Sequence, residues 1–153
     1  MTVTESLQSL LAAEHAAVFG YRRLGPHVTD SSGRELARSC EAAHRAVRDE
    51  LTAALLAAGE VPVRPLADYP LAEPLAGPLA APQAAVSLEQ SCAVAARLLL
   101  LSAATPTAAP TATQLKRLRV TAQSELSDSA VRATRWRIRY EPHQATVAFP
   151  GIG

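Results

Sequence analysis

A proline-rich stretch separates two halves of the chain that both carry long helical patterns. Residues 60–82 contain six prolines, the last of them Pro82, and they exclude any helix of useful length there. A proline-rich chain advances about 3 Å per residue, so residues 59–82 can travel the roughly 30 Å length of a 20-residue helix. The sequence therefore predicts an all-α, up-down four-helix bundle with one long crossover between the second and third helices.

Apolar residues recur every three to four positions on both sides of this stretch, as in amphipathic helices. We predict helices at about 4–24, 34–58, 83–104 and 114–140, a crossover at 59–82 and a C-terminal tail at 141–153. Hydrophobic residues make up 48% of the chain but aromatic ones only 4%, so we expect a core of closely packed Leu, Val and Ala. The 153 residues are expected to form a single domain.

Composition narrows the classes of partner and the compartment. The formal net charge of +1 gives no reason to expect nucleic acid or an anionic membrane as a partner. The N-terminus lacks the pattern of a signal peptide, and the longest apolar run, 93–104, contains Arg97 and is too short to span a bilayer. We therefore expect a cytoplasmic protein. Cys40 and Cys92 fall within apolar helical patterns, which indicates reduced core residues, with a single disulfide as the alternative.

Each predicted helix brings one carboxylate to its apolar stripe. Glu14, Glu89 and Glu125 do so on the first, third and fourth helices, and on the second helix Glu41 lies three residues before His44. A buried carboxylate is costly unless a metal ion, a proton or an arginine neutralises it. Carboxylate and imidazole ligands clustered in a bundle core suit iron, manganese or zinc. These five residues are therefore the candidate metal ligands.

Several segments along nearly the whole chain carry a family resemblance. They are AEHAAVFGY at 13–21, AHR at 43–45, YPL at 69–71, AVRATRWR at 130–137 and AFPG at 148–151. With these segments the chain resembles the ferritin-like superfamily, and more closely an actinobacterial ferritin-like domain family of unknown function. The resemblance implies a four-helix bundle with a position for two metal ions. It implies no established reaction.

The di-metal pattern of ferritin-like proteins is incomplete in this sequence. That pattern takes Glu from the first and third helices and Glu-x-x-His from the second and fourth. Glu14, Glu41 with His44, and Glu89 match it. On the fourth helix, however, Glu125 is followed three residues later by Asp128 instead of histidine.

Two functions therefore stay open. The first is a non-catalytic bundle with a buried Glu/His cluster and no cofactor, which acts by binding a protein, a small ligand or a second copy of itself as a homodimer. The second is a bundle that binds iron or manganese, in which Glu125 or Asp128 completes the ligands. Oxygen or peroxide chemistry would then follow by family analogy alone.

Several of these residues also have ordinary structural explanations. His44 can be a core histidine that is hydrogen-bonded to Glu14, and Glu41 can pair with Arg45 one turn later. His15 is expected to face away from the stripe of Glu14. The sequence has no glycine-rich loop, nucleophile motif or zinc-finger spacing. Acidic neighbours indicate a solvated face, with phosphate binding as the alternative, for the basic residues of the fourth helix, which are Lys116, Arg117, Arg119, Arg132, Arg135, Arg137 and Arg139.

Overall fold

Four long α-helices and two short 3₁₀ turns make up the regular structure of the described part of the chain. The computed structural model describes residues 1–71, 74–105 and 111–152. Within these residues no strand occurs, and the helices are α1 Val3–Leu24, α2 Ser31–Ala57, α3 Ala80–Ala104 and α4 Ala112–Arg137. The 3₁₀ turns are Gly25–His27 and Pro142–Gln144. The prediction of an all-α bundle of four helices is confirmed at this level.

The helix ends differ from the predicted ones by a few residues, and local capping explains the differences. α2 begins at Ser31 instead of 34 because the Asp30 carboxylate accepts a 2.7 Å hydrogen bond from the backbone N–H of Gly33. α3 begins at Ala80 instead of 83, and Pro82 is accommodated in its first turn. α4 starts at a capping box that Thr111 forms, and it ends at Arg137 instead of 140.

α3 is the central helix of the bundle. It packs against α1 and α4, and α1 also packs against α2. Many of its buried side chains are alanines, which allow neighbouring helices to approach closely. Among the helices of the described ranges, α3 alone is long and apolar enough to cross a membrane by length and composition, and half of that stretch is buried inside the bundle.

Two apolar clusters fill the two ends of the bundle. One contains Leu7, Leu10 and Leu11 of α1 with Leu51 and Leu55 of α2. The other is built from the opposite ends of these helices, by residues that include Tyr21, Leu24, Ala37 and Cys40. On all four helices the positions between the two clusters carry buried polar side chains, which are Glu14, His44, Glu89 and Glu125.

Part of the segment between α2 and α3, from Val61 to Tyr69, contacts α1. At its start, the side chain of Gln8 donates to the carbonyl of Val61 and accepts from the backbone N–H of Val63, both at 2.8 Å. Further along, the rings of Phe19 and Tyr69 lie 5.5 Å apart. The segment therefore passes from near the beginning of α1 toward its end.

Candidate functional site

A cluster of charged side chains is completely enclosed at the middle of the bundle. Glu14, His44 and Glu89 have no exposed surface, and Glu125 is 2% exposed. Each residue comes from a different helix, because each occupies the inward position between the two apolar clusters of its helix. Four of the five candidate residues from the sequence are thus brought together.

His44 bridges two of the glutamates. Its Nδ1 lies 2.7 Å from Oε2 of Glu14, and its Nε2 lies 3.1 Å from Oε1 of Glu89. Because both partners are carboxylate oxygens, both ring nitrogens carry a proton in this arrangement. Burial alone would lower the pKa of His44, but the hydrogen bonds and charges of Glu14 and Glu89 raise it to about 9. His44 is therefore a cation at neutral pH. Its hydrogen bond to Glu14 confirms the alternative prediction that His44 is a core histidine bonded to that carboxylate.

Arg132 of α4 bridges a second pair of glutamates. Its Nε donates to Oε2 of Glu89 at 2.9 Å, and one terminal nitrogen donates to Oε1 of Glu125 at 2.6 Å. The hydroxyl of Ser129 also donates to Oε1 of Glu125, and the hydroxyl of Tyr21 donates to Oε1 of Glu89, each at 2.5 Å. Glu89 is buried, which raises a carboxyl pKa, but His44 and Arg132 lower it overall.

The two cations, His44 and Arg132, leave the charge of the cluster nearly balanced. They face three carboxylates, so one negative charge is in excess if all three are ionised. Burial and the nearby charge of Glu14 raise the pKa of Glu125 to about 7, so a proton partly offsets this excess at neutral pH. Among the described residues, neither one oxygen of Glu14 nor one oxygen of Glu125 has a hydrogen-bond partner, and both oxygens are buried. Unpaired buried carboxylate oxygens of this kind favour a nearby cation or a proton.

A subset of the cluster has the spacing of a metal site. Glu14, His44, Cys92 and Glu125 each place one ligand atom within 4.8 Å of the others. The thiol of Cys92 lies 4.0 Å from Nδ1 of His44. To bind a metal, His44 would have to release the proton from Nδ1, while Nε2 keeps its proton toward Glu89. Burial raises the pKa of the Cys92 thiol far above its ordinary value, which opposes the thiolate form in the absence of a cation.

Glu41 is the one candidate ligand that the structure does not bring to the cluster. Its carboxylate accepts hydrogen bonds from Arg22 at 2.9 Å and from Arg45 at 2.6 Å, on the outside of α1 and α2. The inward stripe of α2 contains Cys40 and His44, and Glu41 is rotated about 100° from Cys40 on the helix. The prediction that Glu41 and His44 share the inward face of α2 is therefore wrong. The alternative prediction, that Glu41 pairs with Arg45, is confirmed.

Helix α4 also differs from the prediction. Asp128, the alternative ligand, is exposed, whereas Ser129 and Arg132 are buried. Arg132 was expected on a solvated face with the other basic residues. The signal that identifies it is spacing: Arg132 follows Glu125 by seven residues and Ser129 by three, so all three share one face.

The remaining sequence predictions about this region agree with the structure. Cys40 and Cys92 are both buried free thiols, as expected for reduced core residues. His15 lies outside the cluster, where its Nε2 is 3.2 Å from the carbonyl of Val63. The candidate site therefore keeps four of the residues predicted from the sequence, which are Glu14, His44, Glu89 and Glu125. The structure removes Glu41 and adds Cys92 and Arg132.

Comparisons with known proteins identify a family and a similar structure, neither of which has an assigned function. Residues 6–153 match the sequence profile of the domain of unknown function DUF4439. The fold is similar to the crystal structure of a conserved hypothetical protein, Rv2844, from Mycobacterium tuberculosis, with 30% identity and a TM-score of 0.76. That match covers 88% of this chain and 94% of the other. No curated protein matches the chain. The chain therefore belongs to the DUF4439 family.

Proposed function

We propose that this protein is a non-catalytic, ferritin-like bundle in which buried cations of the chain itself take the place of metal ions. Its function would then lie in binding a small ligand or another protein at its surface. The single observation that carries the proposal is the position of Arg132, whose guanidinium lies between Glu89 and Glu125. A dinuclear metal site would need both carboxylates as ligands, and the guanidinium already engages them.

The path of the chain supports the proposal of a ferritin-like topology. The start of α1 packs with the end of α2, so these two helices are antiparallel. The segment after α2 then lies along α1, from Gln8 near its start to Phe19 near its end. α3 therefore begins near the end of α1 and is parallel to α2. One long crossover between the second and third helices is the arrangement of ferritin-like bundles.

A second candidate function is the binding of one divalent metal ion. It is favoured by the two buried oxygens of Glu14 and Glu125 that have no hydrogen-bond partner in the described part of the chain. Glu14, His44, Cys92 and Glu125 would be its ligands, and Glu89 would orient the imidazole of His44. A divalent ion would displace the proton on Nδ1 of His44 and the proton of Glu125. Iron, manganese or zinc is compatible with such mixed ligands, and a redox-active ion would supply oxygen or peroxide chemistry.

Metal analysis of the purified protein separates the two candidates. We expect protein from iron- and manganese-supplemented medium to carry well below about one ion per ten chains. We also expect Fe²⁺, Mn²⁺ or Zn²⁺ at about 100 µM to raise the melting temperature by less than about 1 °C, since an ion that does not bind the native state cannot stabilise it. Inductively coupled plasma mass spectrometry and thermal unfolding give the two readings.

Two variants control this experiment. Glu14→Gln removes a ligand of the candidate metal group, and Glu41→Ala removes the glutamate that lies outside it. A stoichiometry of about one ion per chain that Glu14→Gln abolishes and Glu41→Ala preserves would replace the first candidate with the second. Equal, low metal content in all three proteins supports the metal-free cluster.

A further inference from the structure

A surface cavity of about 530 Å³ lies between α3, α4 and the C-terminal segment. This volume falls within the range of sites that bind small molecules. Its walls include Val94 of α3, Ala130 and Arg137 of α4, and Val147, Phe149 and Ile152 of the C-terminal segment. Most of the wall is apolar, and its polar side chains include one arginine together with Ser87, Gln90, Ser91 and Ser129.

Arg137 is a buried cation without a counter-ion in the described part of the chain. It is only 6% exposed, and one terminal nitrogen donates to the carbonyl of Ala145 at 2.7 Å. Within residues 1–71, 74–105 and 111–152, no carboxylate oxygen lies within 4.0 Å of its guanidinium. Arg132, buried to a similar degree on the same helix, has two carboxylate partners. A buried, unpaired charge is costly, so the site favours an anion beside Arg137.

One carboxylate, Glu89, also borders the cavity, but it does not supply this counter-ion. Oε1 of Glu89 is bonded to Tyr21 and His44, and Oε2 is bonded to Arg132. Its charge is therefore directed into the buried cluster and neutralised there. Repulsion between Glu89 and an anion at Arg137 is correspondingly weak.

The outer wall of the cavity exposes large apolar side chains on an anchored segment. Phe149 is 72% exposed and Ile152 is 61% exposed. Gly151 fixes this segment against α3: its φ is +78°, and a Cβ there would lie 2.8 Å from the carbonyl oxygen of Ala93. The segment thus presents apolar surface beside Arg137 that a ligand could cover.

We propose that this cavity binds a small carboxylate with an apolar body. The carboxylate would pair with Arg137, and the body would cover Val147, Phe149 and Ile152. The inference gives a site to the binding role that we propose for the protein, and it rests on that role. Metal content tests the buried cluster and ligand affinity tests this cavity, so the two proposals can fail separately.

Calorimetric titration with decanoate tests the proposal. We expect decanoate to bind, and decanol, which has the same body without the charge, to bind at least about tenfold more weakly. Arg137→Gln should weaken decanoate binding at least about tenfold and leave decanol unchanged. Arg135→Gln, an exposed neighbour with the same change in net charge, is the matched control and should keep the wild-type affinity.

A second variant covers the case in which Arg137→Gln does not fold. Phe149 is mostly exposed, so Phe149→Ser should fold normally and weaken decanoate binding by about three- to tenfold through lost apolar contact. The proposal is overturned if decanoate does not bind at about 1 mM, if decanol binds equally well, or if Phe149→Ser keeps the wild-type affinity. Equal affinities of Arg135→Gln and Arg137→Gln would overturn it as well.

Discussion

Replacing Arg132 with methionine is expected to lower the free energy of unfolding by about 3–5 kcal/mol, because it leaves two buried carboxylates without their cation. Arg132 has a 10% exposed side chain and bonds to Glu89 and Glu125. Methionine fills similar volume but supplies neither charge nor hydrogen-bond donors. Urea unfolding followed by circular dichroism at about pH 7.5, where the carboxylates are mostly ionised, measures this loss.

Arg135→Met is the matched control, since it makes the same replacement at an exposed position three residues further along α4. It should change the free energy of unfolding by less than about 0.5 kcal/mol. Adding Glu125→Gln to Arg132→Met should recover part of the loss, because one unpaired charge is then removed. Equal small losses in the Arg132 and Arg135 variants would contradict the ion network.

The second large effect is a decrease in stability as the pH rises from about 5 to about 9. The pKa of Glu125 is raised from 4.5 to about 7 and that of His44 from 6.5 to about 9. Between its ordinary pKa and its raised pKa, each group holds its proton in the folded state and loses it in the unfolded state. The free energy of unfolding therefore falls with increasing pH. Each pKa shift corresponds to a loss of about 3 kcal/mol in the free energy of unfolding. The loss due to Glu125 occurs between about pH 4.5 and 7, and the loss due to His44 between about pH 6.5 and 9.

Glu125→Gln isolates the lower of these two steps. Glutamine resembles the protonated carboxyl group, so this variant should match the wild type at about pH 4.5 and exceed it by up to about 3 kcal/mol at pH 8. Glu35→Gln, at an exposed position of α2, is the control and should leave the pH profile unchanged. Urea unfolding curves at several pH values give the comparison. A wild-type profile in the Glu125→Gln variant would show that Glu125 is ionised without cost.

The helices and most of the cluster could be predicted from sequence because both depend on local spacing. Prolines exclude helix between α2 and α3, and the three-to-four-residue period turns Glu14, Glu89 and Glu125 inward with the apolar residues of their helices. His44 lies on such a stripe as well. A period of 3.6 residues identifies the inward face reliably where apolar residues flank the polar one on both sides.

The sequence predictions were wrong in two situations. In one, a shift of a single residue along the helix decides whether a side chain faces inward, and in the other the packing of one helix on another decides it. Glu41 adjoins the inward stripe of α2 by a single position, and Arg22 on α1 holds it outside. Arg132 was grouped with the surface arginines although it shares a helix face with Glu125, and its other carboxylate partner, Glu89, lies on α3. Pairings between helices depend on how the helices dock, and helical periodicity carries no information on docking.

The protonation of the His44 ring tests the central claim most directly. Nitrogen-15 NMR distinguishes protonated from unprotonated ring nitrogens, and His44→Gln assigns the His44 signals among those of the four histidines. Bonded to Glu14 and Glu89, His44 should keep both N–H groups at about pH 7.5 and lose a proton only near pH 9. An unprotonated Nδ1 at about pH 7.5, the state that a metal ligand requires, would contradict the account.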